Sequence, residues 1–236
     1  LDLVEADAPD AYHHVSEYRR TVALIELAPD ARYVVDLFRV AGGDRHDYGI
    51  HGFHGTFSTE GVELSAPQAE GTLAGEDVPY GAIYDDEGLQ DFERKGRSYY
   101  TYRGSGHSYL YDVRRANPVA PWSAVWRDAE NGTGIRATYL PSGETIVAHG
   151  DPPRKGGAAD PLDFLILRNS GEGLTSQFAG VLEPFSGQPR VRSIEPLERT
   201  DRAIGLKVHH LQGVDTVRHS VGPEGFERSY SCMFRK

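Results

Sequence analysis

The sequence is poor in sulfur: its 236 residues include one cysteine, Cys232, and one methionine, Met233. A single cysteine excludes an internal disulfide, so the redox compartment cannot be read from cysteine pairing. Long apolar runs are also missing. The stretch 22–27 is among the longest, and Glu26 interrupts it, well short of the roughly 20 apolar residues a membrane-spanning helix needs. No Gly-rich loop joins a strand to a helix, and there is no Gly-x-Ser-x-Gly elbow and no paired-cysteine zinc motif. These absences remove support for phosphoryl transfer and serine hydrolysis. The chain opens at Leu1 without an initiator methionine or a basic-then-apolar leader, so it is expected to be a piece of a longer precursor.

Positive charge is in deficit, with 25 Lys and Arg against 35 Asp and Glu and a formal net charge of −10. At long range that balance repels nucleic acid and anionic membranes, so neither is an expected partner. It also opposes purely electrostatic capture of a polyanion, although Arg97, Arg103, Arg114 and Arg115 could form one basic groove.

What the chain has is apolar content for a core, at 39% hydrophobic residues, and a β-rich pattern. Short runs of Val, Ile, Tyr, Phe and Thr recur between Gly, Pro, Asn and Asp. They predict antiparallel strands over 18–27, 32–41, 47–54, 98–103, 107–114, 123–128, 134–140 and 144–149, followed by 163–168, 174–182, 191–197, 203–209, 216–221 and 226–234. In 32–41, Tyr33, Val35, Leu37 and Arg39 share one face and Val34, Asp36, Phe38 and Val40 the other. A strand apolar on both faces belongs between two layers, which predicts an all-β, antiparallel two-sheet β-sandwich of supersandwich type. Asp36 and Arg39 point to opposite faces, so each needs its own partner. The polar stretch 66–91 lacks a helical period and reads as a long excursion. The Gly/Pro-rich stretch 150–161 is a candidate subdomain break within one domain spanning 1–236.

The densest polar constellation is Gly42-Gly43-Asp44-Arg45-His46-Asp47-Tyr48-Gly49-Ile50-His51-Gly52-Phe53-His54-Gly55. Imidazole and carboxylate are good zinc ligands, but His46 and His54 lie roughly 26 Å apart on an ideal strand and His51 faces the other way. Bulges at Gly49 and Gly52 could re-aim these side chains. The alternative is that the histidines are hydrogen-bonded at a packing surface. In the adjacent pairs His13-His14 and His209-His210, one ring is expected inward and one outward. Tyr99, Tyr100, Tyr102, Tyr109 and Tyr111 could stack on sugar rings or belong to core and edges.

Two segments carry a family resemblance. Tyr18-Arg19-Arg20-Thr21, Tyr33-Val34-Val35-Asp36-Leu37-Phe38-Arg39-Val40, Gly42-Gly43, His46-Asp47-Tyr48 and His51-Gly52 form the first, and Ser176-Gln-Phe178-Ala-Gly-Val181-Leu-Glu183-Pro184-Phe185 the second. Together they resemble the C-terminal β-sandwich of heparinase II/III-like polysaccharide lyases. The resemblance implies part of a bacterial, periplasmic or extracellular enzyme that cleaves uronate polysaccharides by β-elimination. In that reaction a Tyr or His base takes the C5 proton while another group neutralises the uronate carboxylate.

It further implies an N-terminal helical toroid, absent from this chain, as partner and bearer of the main catalytic residues, and a divalent metal site, zinc by resemblance, lying upstream. No cofactor is expected in this segment, and no metal ligands are identified in it. The segment is therefore expected to support the toroid and line the substrate cleft, with His46, Tyr48, His51 and His54 as cleft candidates and Tyr99, Tyr102 and Arg103 as saccharide contacts. Two rival readings are a free-standing carbohydrate-binding sandwich and a metal-dependent enzyme centred on the His46–His54 cluster.

Overall fold

The computed structural model describes residues 2–84, 92–94, 97–99, 106–128, 130–152, 160–221 and 225–232. Among the described residues there are seventeen antiparallel strands and one 3-10 turn. In chain order the strands are β1 Asp2–Asp7, β2 Glu17–Ala28, β3 Ala31–Ala41, β4 Arg45–His51, β5 Thr56–Glu60, β6 Phe92–Arg94, β7 Arg97–Tyr99, β8 Leu110–Ala116 and β9 Trp122–Arg127. They continue with β10 Thr133–Tyr139, β11 Glu144–Gly150, β12 Leu162–Ser170, β13 Thr175–Ser186, β14 Val191–Arg199, β15 Ala203–His210, β16 Gly213–Ser220 and β17 Phe226–Cys232. The turn is η1, His107–Tyr109.

A seven-stranded sheet with the order β1-β2-β3-β13-β10-β9-β5 forms the central layer. One face packs on the four-stranded sheet β4-β12-β11-β8, and the other on the four-stranded sheet β14-β15-β16-β17. β6 and β7 pair separately. The all-β antiparallel sandwich is thus as expected, with a second covering sheet added. β3 explains the layering. Its odd residues Tyr33, Val35 and Leu37 join one core with Ile194, Ile204 and Leu206, while Phe38 and Val40 join the other with Trp122, Trp126, Tyr139 and Leu165. Period-two alternation delivers apolar side chains to both sides of a strand, and here each side meets its own sheet.

The charged exceptions on β3 are paired separately, as their opposite directions require. Asp36, 4% exposed, accepts from Arg20 Nε at 2.9 Å and Nη2 at 2.6 Å, and from the Tyr48 hydroxyl at 2.8 Å. Arg39 turns to the other side, donating to Glu17 Oε1 at 3.0 Å and to the Asp201 carbonyl.

The excursion in 66–91 is extended and irregular where it is described. Ser65, Gln68 and Leu73 donate backbone N–H groups to Arg115, Val113 and Leu110, which covers the free edge of β8. Leu73 caps a third, smaller core with Val113, Ile146 and Ile166. The stretch 150–161, expected as a break, joins β11 to β12, which pair with each other; residues 153–159 of it lie outside the described residues. Three short strands, β1, β5 and β6, went unpredicted. β1 is exposed at every residue, so no apolar alternation marks it. His210 is buried and His209 partly exposed, as the strand period predicts, but His13 and His14 are both exposed because they sit in a turn rather than a strand.

Glu183 anchors the second family-like segment. Its carboxylate is buried and accepts the backbone N–H groups of Arg190 and Val191 at 2.5 and 3.0 Å, fixing the reversal from β13 to β14. Burial pushes its pKa up, and the two N–H donors only partly oppose this.

Truncating Asp36 is expected to be costly because it strands the buried Tyr48 hydroxyl and releases Arg20. Asp36→Ala should lower unfolding free energy by about 3 kcal/mol, whereas Arg32→Ala, which breaks an exposed pair with Glu26, should cost no more than about 0.5 kcal/mol. Urea denaturation of both variants checks the contrast.

Candidate functional site

The sequence constellation on β4 is split by the strand period. His46 and Tyr48 point into the sandwich and are 5% and 4% exposed. His46 Nε2 lies 2.7 Å from the Gly42 carbonyl and must donate to it, which leaves Nδ1 to accept from the Ser176 hydroxyl at 2.8 Å. Tyr48 donates to Asp36, and burial before all else pushes its pKa far above the ordinary tyrosine value. Both residues therefore hold layers together and do not face a cleft. His54 follows the end of β4 and is exposed. The four candidates do not converge, and among the described residues no three His, Cys, Asp or Glu side chains gather as a metal site.

His51 has a different setting. It leaves the outer face of β4, where its ring lies 4.7 Å from that of Phe164 across the strand pair. Together they line a groove of about 420 Å³ whose walls also include His107, Tyr109, Leu110 and Asp151. Gly49 and Gly150 contribute backbone to the groove; a Cβ at Gly150 would sit 2.6 Å from the Phe164 ring, so the glycine lets that ring lie flat on the strand. At one side Arg168 holds Asp47 by a two-pronged pair at 2.7 and 2.8 Å, and Asp47 Oδ2 lies 3.5 Å from His107 Nε2.

At the end of the same sheet the groove meets an aromatic platform. Tyr80 and Tyr109 are 50% and 45% exposed, and the Tyr80 ring stands edge-on to Tyr109 and Tyr111 at 5.5 and 5.7 Å. Asp151 fixes the set by accepting the Tyr80 hydroxyl on Oδ2 and the Tyr111 hydroxyl on Oδ1, each at 2.9 Å.

Beside Tyr111, His149 places Nδ1 3.0 Å from Asp112 and Nε2 3.4 Å from Asp163. A register shift between β8 and β11 creates this contact: Asp112 adopts a left-handed backbone, with φ of 52°, and its carboxylate bonds His149. Asp is one of the few residue types that tolerate that conformation. Burial raises the Asp163 pKa, which His149 and Arg114 partly offset.

No family model matches this sequence, and no curated protein matches it. The chemistry of the site therefore rests on its own geometry. Exposed, edge-locked aromatic rings beside imidazoles and carboxylates suit a ligand with both apolar faces and hydroxyl groups. Of the saccharide contacts expected from sequence, Tyr99 belongs to β7, while Tyr102 and Arg103 lie outside the described residues. Arg115 is engaged with Glu144 at 3.0 Å.

Tyr109 and Tyr111 were legible as alternating aromatics, but Tyr80, Asp151 and His149 were not. Tyr80 sits in the irregular excursion, and Asp151 and His149 are brought in by long-range pairing. Sequence offered one signal for Tyr80, an aromatic between the turn formers Pro79 and Gly81.

Burial, reinforced by the Asp151 hydrogen bond, raises the Tyr111 pKa to about 12. A folded pKa above the unfolded value favours the neutral phenol, so this residue's contribution to stability is present below pH ~10 and is lost above it as the unfolded phenol ionises. Ultraviolet phenolate titration is expected to find Tyr111 among the late-titrating tyrosines. Asp151→Asn should bring its midpoint back toward the ordinary value.

Proposed function

We propose that this chain is the β-sandwich part of a uronate-polysaccharide lyase, and that the groove from His51 to Asp151, with its tyrosine platform, is the wall that meets the saccharide. One observation carries the reading: β4, which bears part of the first segment resembling the family, sends His51 into the groove beside His107, Tyr109 and Asp151. Aromatic faces supply stacking area, while imidazole and carboxylate groups supply hydroxyl partners.

In this reading the base and the uronate-neutralising group come mainly from a helical toroid on the N-terminal side. The sandwich orients the chain of sugars, and the whole works outside the cytoplasm. Tyr48 is not the base, because its proton is committed to Asp36 and burial opposes its ionisation. The exposure of Tyr80 and Tyr109 also favours a second reading, a free-standing carbohydrate-binding sandwich.

One experiment separates the two. Alginate, heparan sulfate and chondroitin are offered to this chain alone and to the chain preceded by its toroid, and unsaturated uronate is followed by ultraviolet absorbance. The lyase reading expects product from the longer protein, with the double variant Tyr80→Ala/Tyr109→Ala losing roughly thirtyfold in affinity for the cleaved polymer, at about 1 kcal/mol per ring. Binding without product from either protein would favour the second reading. Absence of both would overturn the two together.

A further inference from the structure

A second cleft, of about 390 Å³, opens at the far end of β12, where turns from all three layers meet. Its lining is polar and includes Ser142, Asn169, Ser176, Gln177, Arg199 and Asp201.

Hydrogen bonds run from the buried His46 beneath the cleft to its floor, and their directions can be assigned. His46 Nε2 donates to the Gly42 carbonyl, so Nδ1 accepts from Ser176. Ser176 Oγ in turn accepts from Asn169 Nδ2 at 3.0 Å, and the same amide donates to Ser142 Oγ at 3.1 Å. The chain of donors therefore ends at Ser142, whose own hydroxyl hydrogen has no acceptor among the described residues.

Arg199 stands over this floor. Its Nη1 donates to the Pro141 carbonyl and its Nη2 to the Gln177 carbonyl, both at 2.8 Å, so two of five guanidinium donors are used. Among the described residues no carboxylate pairs with it. Burial is the only influence on its pKa, and it draws the value down, as expected of a cation lacking a counter-charge. The nearby Gln177 is 7% exposed, and its Oε1 is buried without a partner. Asp201 is the one acidic residue on the rim; Arg39 engages its backbone carbonyl.

We propose that this cleft is a carboxylate-binding site in which the guanidinium of Arg199 and the hydroxyl of Ser142 take the acid group of a sugar. The carboxylate follows from the fixed, unpaired cation and the free donor beside it. That the acid is a uronate rests on the lyase reading above. Backbone anchoring pre-orients the guanidinium, so little side-chain freedom remains to be lost on binding. A local cation here also answers how a chain of net charge −10 tolerates an acidic ligand: it holds one carboxylate at close range and does not attract the polymer from afar.

The test is titration of this chain with D-glucuronate and, separately, D-glucose, followed in ¹H–¹⁵N spectra that include the Arg199 Nε–H. Glucuronate is expected to shift that signal saturably and glucose to leave it in place. Ser142→Ala, which keeps both arginine anchors, should weaken glucuronate roughly tenfold, and Arg199→Ala should abolish it, since hydrogen bonds to charged groups are worth at least that factor. The same spectra report whether each variant is folded. Equal response to glucose, no response to glucuronate, or a folded Arg199→Ala that still binds would overturn the site. Product formation by the longer protein without this binding would remove the site and leave the lyase reading; binding here without product would do the reverse.

Discussion

The whole structure depends on one constraint: the middle strands of the central sheet, β3 and β13, are buried on both faces. The middle stretches of β3 and β13 have no solvent side, so each polar group there that no neighbour satisfies costs about 1–3 kcal/mol. That requirement generates the interlayer contacts. Asp36 draws in Arg20 and Tyr48 on one side, and on the other Arg39 reaches Glu17 and the Asp201 carbonyl. Tyr33 donates to Asp215 of the third sheet at 2.6 Å, where Arg228 balances the charge. The apolar cores supply most of the burial free energy, and the buried polar pairs fix which sheet lies on which face.

Strand pattern was legible in sequence because it is a local property. The alternation in 32–41 correctly separated Tyr33, Val35 and Leu37 from Phe38 and Val40, and the need for two partner sets at Asp36 and Arg39 followed from the same alternation. The third sheet was not legible as a separate layer, since its strands carry the same pattern as the others and pairing partners are not local. β1 was invisible for a different reason. It has no buried residue, and it is held by backbone pairing to β2 together with side-chain contacts such as Glu5 to Thr21 and His219.

The site was half legible, and the reason is again geometric. A strand sends neighbours to opposite faces, so a run of His, Asp and Tyr along β4 cannot be one site: His46 and Tyr48 went to the interior and His51 to the groove. The groove is completed by residues far away in sequence. Asp151 leaves β11, and Tyr80 arrives from an excursion whose backbone runs along β8. Those contacts depend on sheet order and on the bulge at Asp112, neither of which the local pattern encodes. One strand thus serves stability with its inward residues and recognition with its outward ones.

The most direct test of this account is a crystal of the chain soaked with a uronate tetrasaccharide. Sugar rings stacked on Tyr80 and Tyr109, with hydroxyl groups reaching His51 or Asp151, are the expected result. Saccharide bound on a different face, with the tyrosine platform bare, would contradict the assignment of the groove.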